Sequence, residues 1–198
     1  MPRDSAATTI SDEALVAKIQ KGETDLYEQV VKRYQEPLYR YAVTLVHDSD
    51  VAKDIVQDSL IKAYTNLRSF NTKKKFSSWL YRITHNRAMD YFRSQRRYTS
   101  FELLPELVHS LVSHSDVEAT LDETLLREKV TDVIGQLPIR YQEVTALYYL
   151  AGKKYGEISE VLHVPEGTVA TWLRRSKALL AKALQEYQPK MKKKNEKK

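Results

Sequence analysis

Apolar residues recur mostly at spacings of three and four along this 198-residue chain, and glycine occurs only five times. That pattern predicts an all-α protein. Ser11-Asp12-Glu13-Ala14 reads as a capping signal, so a first helix opens near Ser11 and stops at Gly22. A second runs from Asp25 to about Val46, with Leu26, Val30, Tyr34, Leu38, Tyr41 and Leu45 along one face and Pro37 splitting or kinking it. Asp48 or Asp50 caps a third, to about Leu67. A loop holds Lys73-Lys74-Lys75, and a fourth helix spans Phe76 to about Arg93. Helices resume at about Asp122–Gln136, Arg140–Leu150, Tyr155–His163 and Gly167–Tyr187, with Leu137-Pro138 and Val164-Pro165 between them.

Between these two helical groups the composition changes. From Tyr98 to Leu126 there is no Lys or Arg, but six acids, two His, a Pro and many Ser and Thr. This is a linker composition in which Leu103, Leu104, Leu107 and Leu111 could form one short helix. The expected organisation is a helical domain over residues 10–97, an acidic linker over 98–123 and a second helical domain over 124–187. A lysine-rich tail over 188–198 is expected to be disordered.

The net charge of +6 is unevenly placed. Lys62–Arg97 carries ten Lys or Arg against one acid, Asp90, with Phe70, Phe76, Trp79, Tyr81, Tyr91 and Phe92 set among them. Cations meet phosphates and flat rings stack on bases exposed from a duplex, so the block suits opened strands. Ordinary amphipathic helices also combine cations with aromatics. Further along, YGEISEVLHVPEGTVATWL fits a helix-turn-helix. Ile158, Leu162, Val164, Val169 and Leu173 are apolar where the helices pack, Ser159 is small at their closest approach, and Val164-Pro165-Glu166-Gly167 supplies the turn. Thr168, Ala170, Thr171, Arg174, Arg175 and Lys177 then face outward, toward a major groove. Trp172 could reach a phosphate or sugar, but its place three residues after Val169 and next to Leu173 favours core packing between the helices. Asp50, Asp54 and Asp58 form an acidic stripe at i, i+4 and i+8, either a solvated face or a docking surface for a basic partner.

Catalytic and metal chemistry find little support. Zero cysteines removes disulfides, thiol catalysis and thiolate zinc sites, and fits a reducing compartment. The five histidines lack ligand spacing; His109, His114 and Asp116 lie close together, but in linker sequence. No nucleophile elbow, phosphate loop or paired-carboxylate signature is present, so no enzyme and no cofactor are expected. No run approaches the roughly 20 apolar residues of a membrane span and no charged-then-apolar leader opens the chain, so a cytoplasmic protein is expected.

Two stretches carry a family resemblance. DIVQDSLIKAY (Asp54–Tyr64) with FSSWLYRITHNRAMDYFR (Phe76–Arg93) resembles the second region of bacterial sigma factors, closest to the extracytoplasmic-function group. TLLREKVTDVIGQLPIRYQEVTALYYLAGKKYGEISEVLHVPEGTVATWLRRSKALL resembles that group's fourth region, and nothing resembles the third, an omission that marks the group. The stretches stand in the right order, and the two regions they place, residues 10–97 and 124–187, cover about three quarters of the chain. The resemblance implies that core RNA polymerase docks at the acidic helix, with Asp50, Asp54, Gln57, Asp58 and Lys62 as contacts. It implies an opened −10 element read by Asn71, Lys73, Lys74, Lys75, Phe76, Trp79, Arg82 and Asn86, the last at the position that holds an extruded base. Trp79 suits the core equally well by its spacing with Leu80 and Ile83. The duplex −35 element falls to the second helix of the helix-turn-helix, where Ala170 and Trp172 replace the basic residues usual in relatives.

The family also implies an anti-sigma partner and a linker threaded through the polymerase toward its RNA exit path. The two elements lie about 80 Å apart on duplex DNA, a distance the linker helps to cover only when drawn out. An acidic strand free of Lys and Arg could act there as a phosphate mimic; neutralising Asp116, Glu118, Asp122 and Glu123 should then weaken core binding or alter promoter escape. A stand-alone helix-turn-helix regulator is the alternative, but it leaves Asp54–Arg93 idle. A non-specific packaging protein would explain the basic block and tail, and predicts a steep salt slope without sequence preference.

Overall fold

The computed structural model describes residues 10–98 and 133–195, which are helical with no strand among them. The expected linker and most of the expected Asp122–Gln136 helix lie outside the described residues, as do His109, His114 and Asp116. The first unit contains α1 (Asp12–Gln20), α2 (Tyr27–Val46), α3 (Ser49–Asn66) and α4 (Phe76–Tyr98). The second contains α5 (Ile139–Thr145), α6 (Tyr155–Leu162) and α7 (Glu166–Asn195).

Local chemistry sets most helix starts. Ser11 accepts a hydrogen bond from the Ala14 N–H at 3.3 Å, and Asp48 accepts from Asp50 and Val51 at 2.9 and 3.0 Å, so Asp48 is the cap of α3 rather than Asp50. After α1 the chain turns through Gly22 at φ +112, which a side chain would oppose. A 3-10 turn at Thr24–Leu26 precedes α2.

Three expectations change. Pro37 does not split α2: the helix runs through it, although Pro37 offers no N–H to the Arg33 carbonyl. Tyr34, Leu38 and Tyr41 around it are buried, and their packing outweighs a penalty of about 3 kcal/mol. α4 continues past Arg93 to Tyr98, since Ser94-Gln95-Arg96-Arg97 holds no breaker. The last helix continues past Tyr187 and through Pro189 to Asn195, taking in residues expected to be disordered.

The core of the first unit includes Leu15, Leu38, Tyr41, Leu45, Phe76 and Leu80; Leu147, Ile158, Val161, Val169 and Leu173 serve the second. These buried residues form one continuous cluster, because α4 packs on α6 while α2 packs on α5 and the following turn. That turn, Ala146–Leu150, is a π-helix in which Ala151 donates to the Ala146 carbonyl at 3.0 Å.

Phe76 is fully buried at the start of α4, with Tyr34, Phe70 and Trp79 centred 5.7, 5.5 and 5.8 Å away. Truncating it removes the centre of this aromatic cluster. Phe76→Ala should lower unfolding stability by about 3–5 kcal/mol, whereas Lys74→Ala in the neighbouring loop should stay within about 0.5 kcal/mol. Urea denaturation followed by helical circular dichroism measures both.

Candidate nucleic-acid interface

The basic loop is anchored on both sides. Phe70 and Phe76 bracket it and meet edge to face, so residues 71–75 leave the core and return within a ring's width. α1 fixes the same two ends: Gln20 donates to the Leu67 and Phe70 carbonyls at 2.8 Å each, and Glu13 accepts the Phe76 N–H at 3.2 Å. Inside the loop the Asn71 carboxamide oxygen accepts from Lys73 N–H at 2.9 Å, an Asx turn that presents the backbone outward. Asn71, Lys73, Lys74 and Lys75 are exposed, and so is Asn86 farther along α4. Arg82 is half-buried.

The aromatic residues divide differently from the expectation. Phe76 is core, and so are Phe70 and Tyr81, so none of the three offers a ring face to a base. The assignment of Phe76 to −10 contact is therefore corrected: an apolar ring between two helices gains more from burial than from solvent. Trp79 is half-buried against Phe70 and Phe76. Tyr91 and Phe92 form a partly exposed pair.

On α3, Asp50, Asp54, Gln57, Asp58 and Lys62 are all exposed. Asp50 pairs with Lys53 at 2.9 Å, while Asp54 and Asp58 form no salt bridge among the described residues. Sequence reasoning missed what lies beside them. An open groove between α2 and α3 is lined by Val31, Tyr39, Gln57, Leu60, Ile61 and Tyr64. Ile61 and Tyr64 are 55% and 44% exposed, large apolar surfaces beside acids. Their i, i+3 spacing on the far side of the helix from Ala52, Ile55 and Ser59 was the available signal.

In the second unit α6, a turn and α7 form the expected helix-turn-helix. The turn is His163-Val164-Pro165, tighter than expected, since Glu166 and Gly167 already belong to α7. His163 closes α6 in the left-handed conformation at φ 55, and Ser159 donates its hydroxyl proton to the Val164 carbonyl at 2.6 Å. Val169 and Leu173 are buried and Trp172 packs against the core, as expected. Arg174, Arg175 and Lys177 are exposed and form no ion pair among the described residues. Thr168, Ala170 and Thr171 are half-buried, and Thr171 donates back to the Gly167 carbonyl at 2.9 Å.

Family models match both units: Sigma-70 region 2 over residues 30–98 and Sigma-70, region 4 over residues 127–180. The ECF RNA polymerase sigma-E factor of Haemophilus influenzae is 32% identical over 186 residues, covering 90% of this chain and 98% of that protein. The chain is an extracytoplasmic-function sigma factor of the sigma-70 family. ECF RNA polymerase sigma factor SigW of Bacillus subtilis is 30% identical across 86% of this chain and 95% of its own length. The sigma factor shares its fold with CnrH, solved in complex with the cytosolic domain of CnrY (TM-score 0.67, 23% identity, 88% of this chain and 97% of that one). It shares it also with the sigma factor RpoE of Bartonella quintana, solved with the anti-sigma factor NepR (TM-score 0.65, 22% identity, 80% and 96%). As a sigma factor it binds core RNA polymerase and directs it to promoters. No described helix is long and apolar enough to cross a membrane.

The seam between the two regions of the sigma factor is polar and buried. The Tyr41 hydroxyl and His85 Nδ1 share a hydrogen bond of 3.2 Å, and Glu143 Oε1 lies 3.9 Å from the same nitrogen, the His85 and Glu143 side chains each being 12% exposed. Burial pushes the Glu143 carboxyl up to about 7. Burial, helped by His163, pulls His85 down to about 4. Between those values both groups are neutral, so the contact is a pair of uncharged polar groups rather than a salt bridge. The clue in the sequence was Glu143 itself, an acid four residues before the buried Leu147 on an otherwise apolar stripe.

Opposite pH slopes follow. A raised carboxyl stabilises the fold below its unfolded value of 4.5, and that contribution is lost as pH rises to about 7. A lowered imidazole stabilises above its unfolded value of 6.5, and that contribution is lost as pH falls to about 4. Between pH 4.5 and 6.5 the two cancel in the parent. Relative to the parent, Glu143→Gln should therefore gain stability as pH rises through this window and His85→Gln should lose it, each by on the order of 1.4 kcal/mol per pH unit. Urea midpoints at half-unit pH intervals would show the two slopes.

Proposed function

We propose that this sigma factor divides promoter recognition between two surfaces and polymerase binding to a third, with the roles resting on individual residues. Asn71, Lys73, Lys74, Lys75 and Asn86 hold the opened −10 strand, with Arg82 and the exposed edge of Trp79 beside them. The observation that carries this reading is the rigid presentation of the lysine loop by Phe70, Phe76, Gln20 and Glu13. Three ammonium groups on a loop held at both ends meet a phosphate backbone without first ordering the loop. An extruded base costs a few kcal/mol of unstacking, which contacts from Asn86 and its neighbours offset.

Arg174, Arg175 and Lys177 anchor α7 to the −35 duplex through phosphates, while Thr168, Ala170 and Thr171 face base edges. Asp54, Gln57, Asp58 and Lys62, with Asp50 in support, meet the polymerase clamp. Ile61 and Tyr64 supply the apolar centre that the charged rim surrounds. The sigma factor is a binding factor that stabilises opened DNA and catalyses nothing itself. It acts in the cytoplasm, and an anti-sigma factor masks these surfaces until a signal arrives, in line with the anti-sigma complex of its structural neighbour.

With bacterial core RNA polymerase and fragmented host DNA, mapped transcripts should start downstream of two spaced elements. Asn86→Ala combined with Lys73→Ala, Lys74→Ala and Lys75→Ala should abolish those starts while leaving polymerase binding intact. Tight, specific duplex binding without polymerase, and no promoter-directed transcripts, would instead establish a stand-alone regulator. For the −35 surface, Arg174→Ala with Arg175→Ala should flatten the salt dependence of duplex binding by about 0.9 in log–log slope for each phosphate left unneutralised. Fluorescence anisotropy from 50 to 200 mM salt reads that slope.

A further inference from the structure

The start of α7 offers a base edge a narrow chemistry. In a helix-turn-helix the first residues of the second helix meet the bases. Here they are Glu166, Gly167, Thr168, Val169, Ala170 and Thr171, and none is Arg, Lys, Asn or Gln. The side chains that read guanine or adenine by paired hydrogen bonds are therefore missing from this end of the helix. Glu166 is turned aside: its Oε1 stands 3.1 Å from the place a Cβ would take on Gly156, back over the first turn of α6. Val169 is fully buried.

At the centre of the outward face stands a methyl group. Val169, Leu173 and Ser176 mark the buried side of α7. At roughly 3.6 residues per turn, the opposite line runs through Gly167, Thr171, Arg174 and Ala178. Thr171 donates its hydroxyl proton to the Gly167 carbonyl at 2.9 Å. That bond restricts χ1 and uses the one proton the side chain could offer a base, which leaves the Cγ2 methyl as its free donor-less face. One turn earlier, a Cβ at Gly167 would meet nothing within 4 Å, so no described neighbour requires glycine there. The missing side chain instead lets the helix come close to an outside surface. We propose that Thr171 reads a thymine of the −35 duplex by packing its methyl group against the thymine C5-methyl, with Gly167 clearing the approach and the Ala170 methyl beside it. This rests on the assignment of α7 to the −35 element and names the base that the helix selects. The rival role for Thr171 is polar: its hydroxyl oxygen still accepts, and could take a proton from an adenine or cytosine amino group.

The test uses holoenzyme assembled from core polymerase and the full chain, on promoter fragments taken from the mapped starts. Each thymine of the −35 element is replaced in turn by deoxyuridine, which removes the C5-methyl and leaves every hydrogen-bonding group in place. At one thymine, or at two adjacent ones, the parent should lose about fourfold in promoter affinity, the worth of one buried methyl. Thr171→Ser keeps the hydroxyl and removes the methyl; it should bind thymine DNA about fourfold more weakly and lose nothing further on uracil DNA. Thr171→Val keeps a methyl and removes the hydroxyl, and should still prefer thymine to uracil. The uracil series on the parent needs no variant, so it decides the matter whether or not the substitutions fold. A parent indifferent to uracil at every position, or a uracil effect undiminished in Thr171→Ser, would overturn the methyl contact. Loss of the thymine preference in Thr171→Val would overturn it in favour of the hydroxyl. A C·G pair placed at the same positions separates these results from failure of the −35 assignment. If C·G weakens binding and uracil does not, the methyl contact alone is discarded; if neither does, the assignment of α7 to the −35 duplex is discarded with it.

Discussion

The edge-to-face contact of Phe70 with Phe76 is the constraint on which the functional surface of region 2 depends. It brings the end of α3 to the start of α4 and forces residues 71–75 outward as a short closed loop. A loop of that length, pinned by rings buried against Tyr34 and Trp79, has little conformational freedom left to lose on meeting DNA. The aromatic residues of the basic block therefore act mostly from beneath, by fixing where the cations stand.

That division explains what the sequence made legible and what it did not. Helix starts at Ser11 and Asp48 were readable because capping is local: the side chain and the N–H it satisfies lie within three residues. The helix-turn-helix was readable for a related reason, since Val169 and Leu173 pack against a partner helix only a few residues away. Pro37 misled because its local penalty is opposed by burial of Tyr34, Leu38 and Tyr41 against distant helices. Phe76 misled because an aromatic beside lysines has the same pattern whether the ring faces a base or the core. Only the fold, which puts Phe70 and Tyr34 against it, separates the two.

Long-range polar contacts were the least legible. Tyr41, His85 and Glu143 are far apart in the chain, and no spacing rule links them. Glu143 marked itself as an acid on an apolar stripe, but the side chains it meets depend on how one region lies against the other. The same holds for His47 and Gly135. A glycine in a helical context reads as a weak position, whereas here its missing side chain makes room for an imidazole from the other region. The groove beside the acidic stripe belongs to this class too, because Val31 and Tyr39 in its lining come from α2.

The family match for region 2 begins at residue 30, yet the two side chains that tie down the ends of the lysine loop, Glu13 and Gln20, lie before it, on α1. The lysine loop thus takes its anchoring from a segment outside the matched module. Changes in α1 can stiffen or loosen the loop while every lysine in it stays the same, which makes this short helix a tuning element separable from the basic surface it supports.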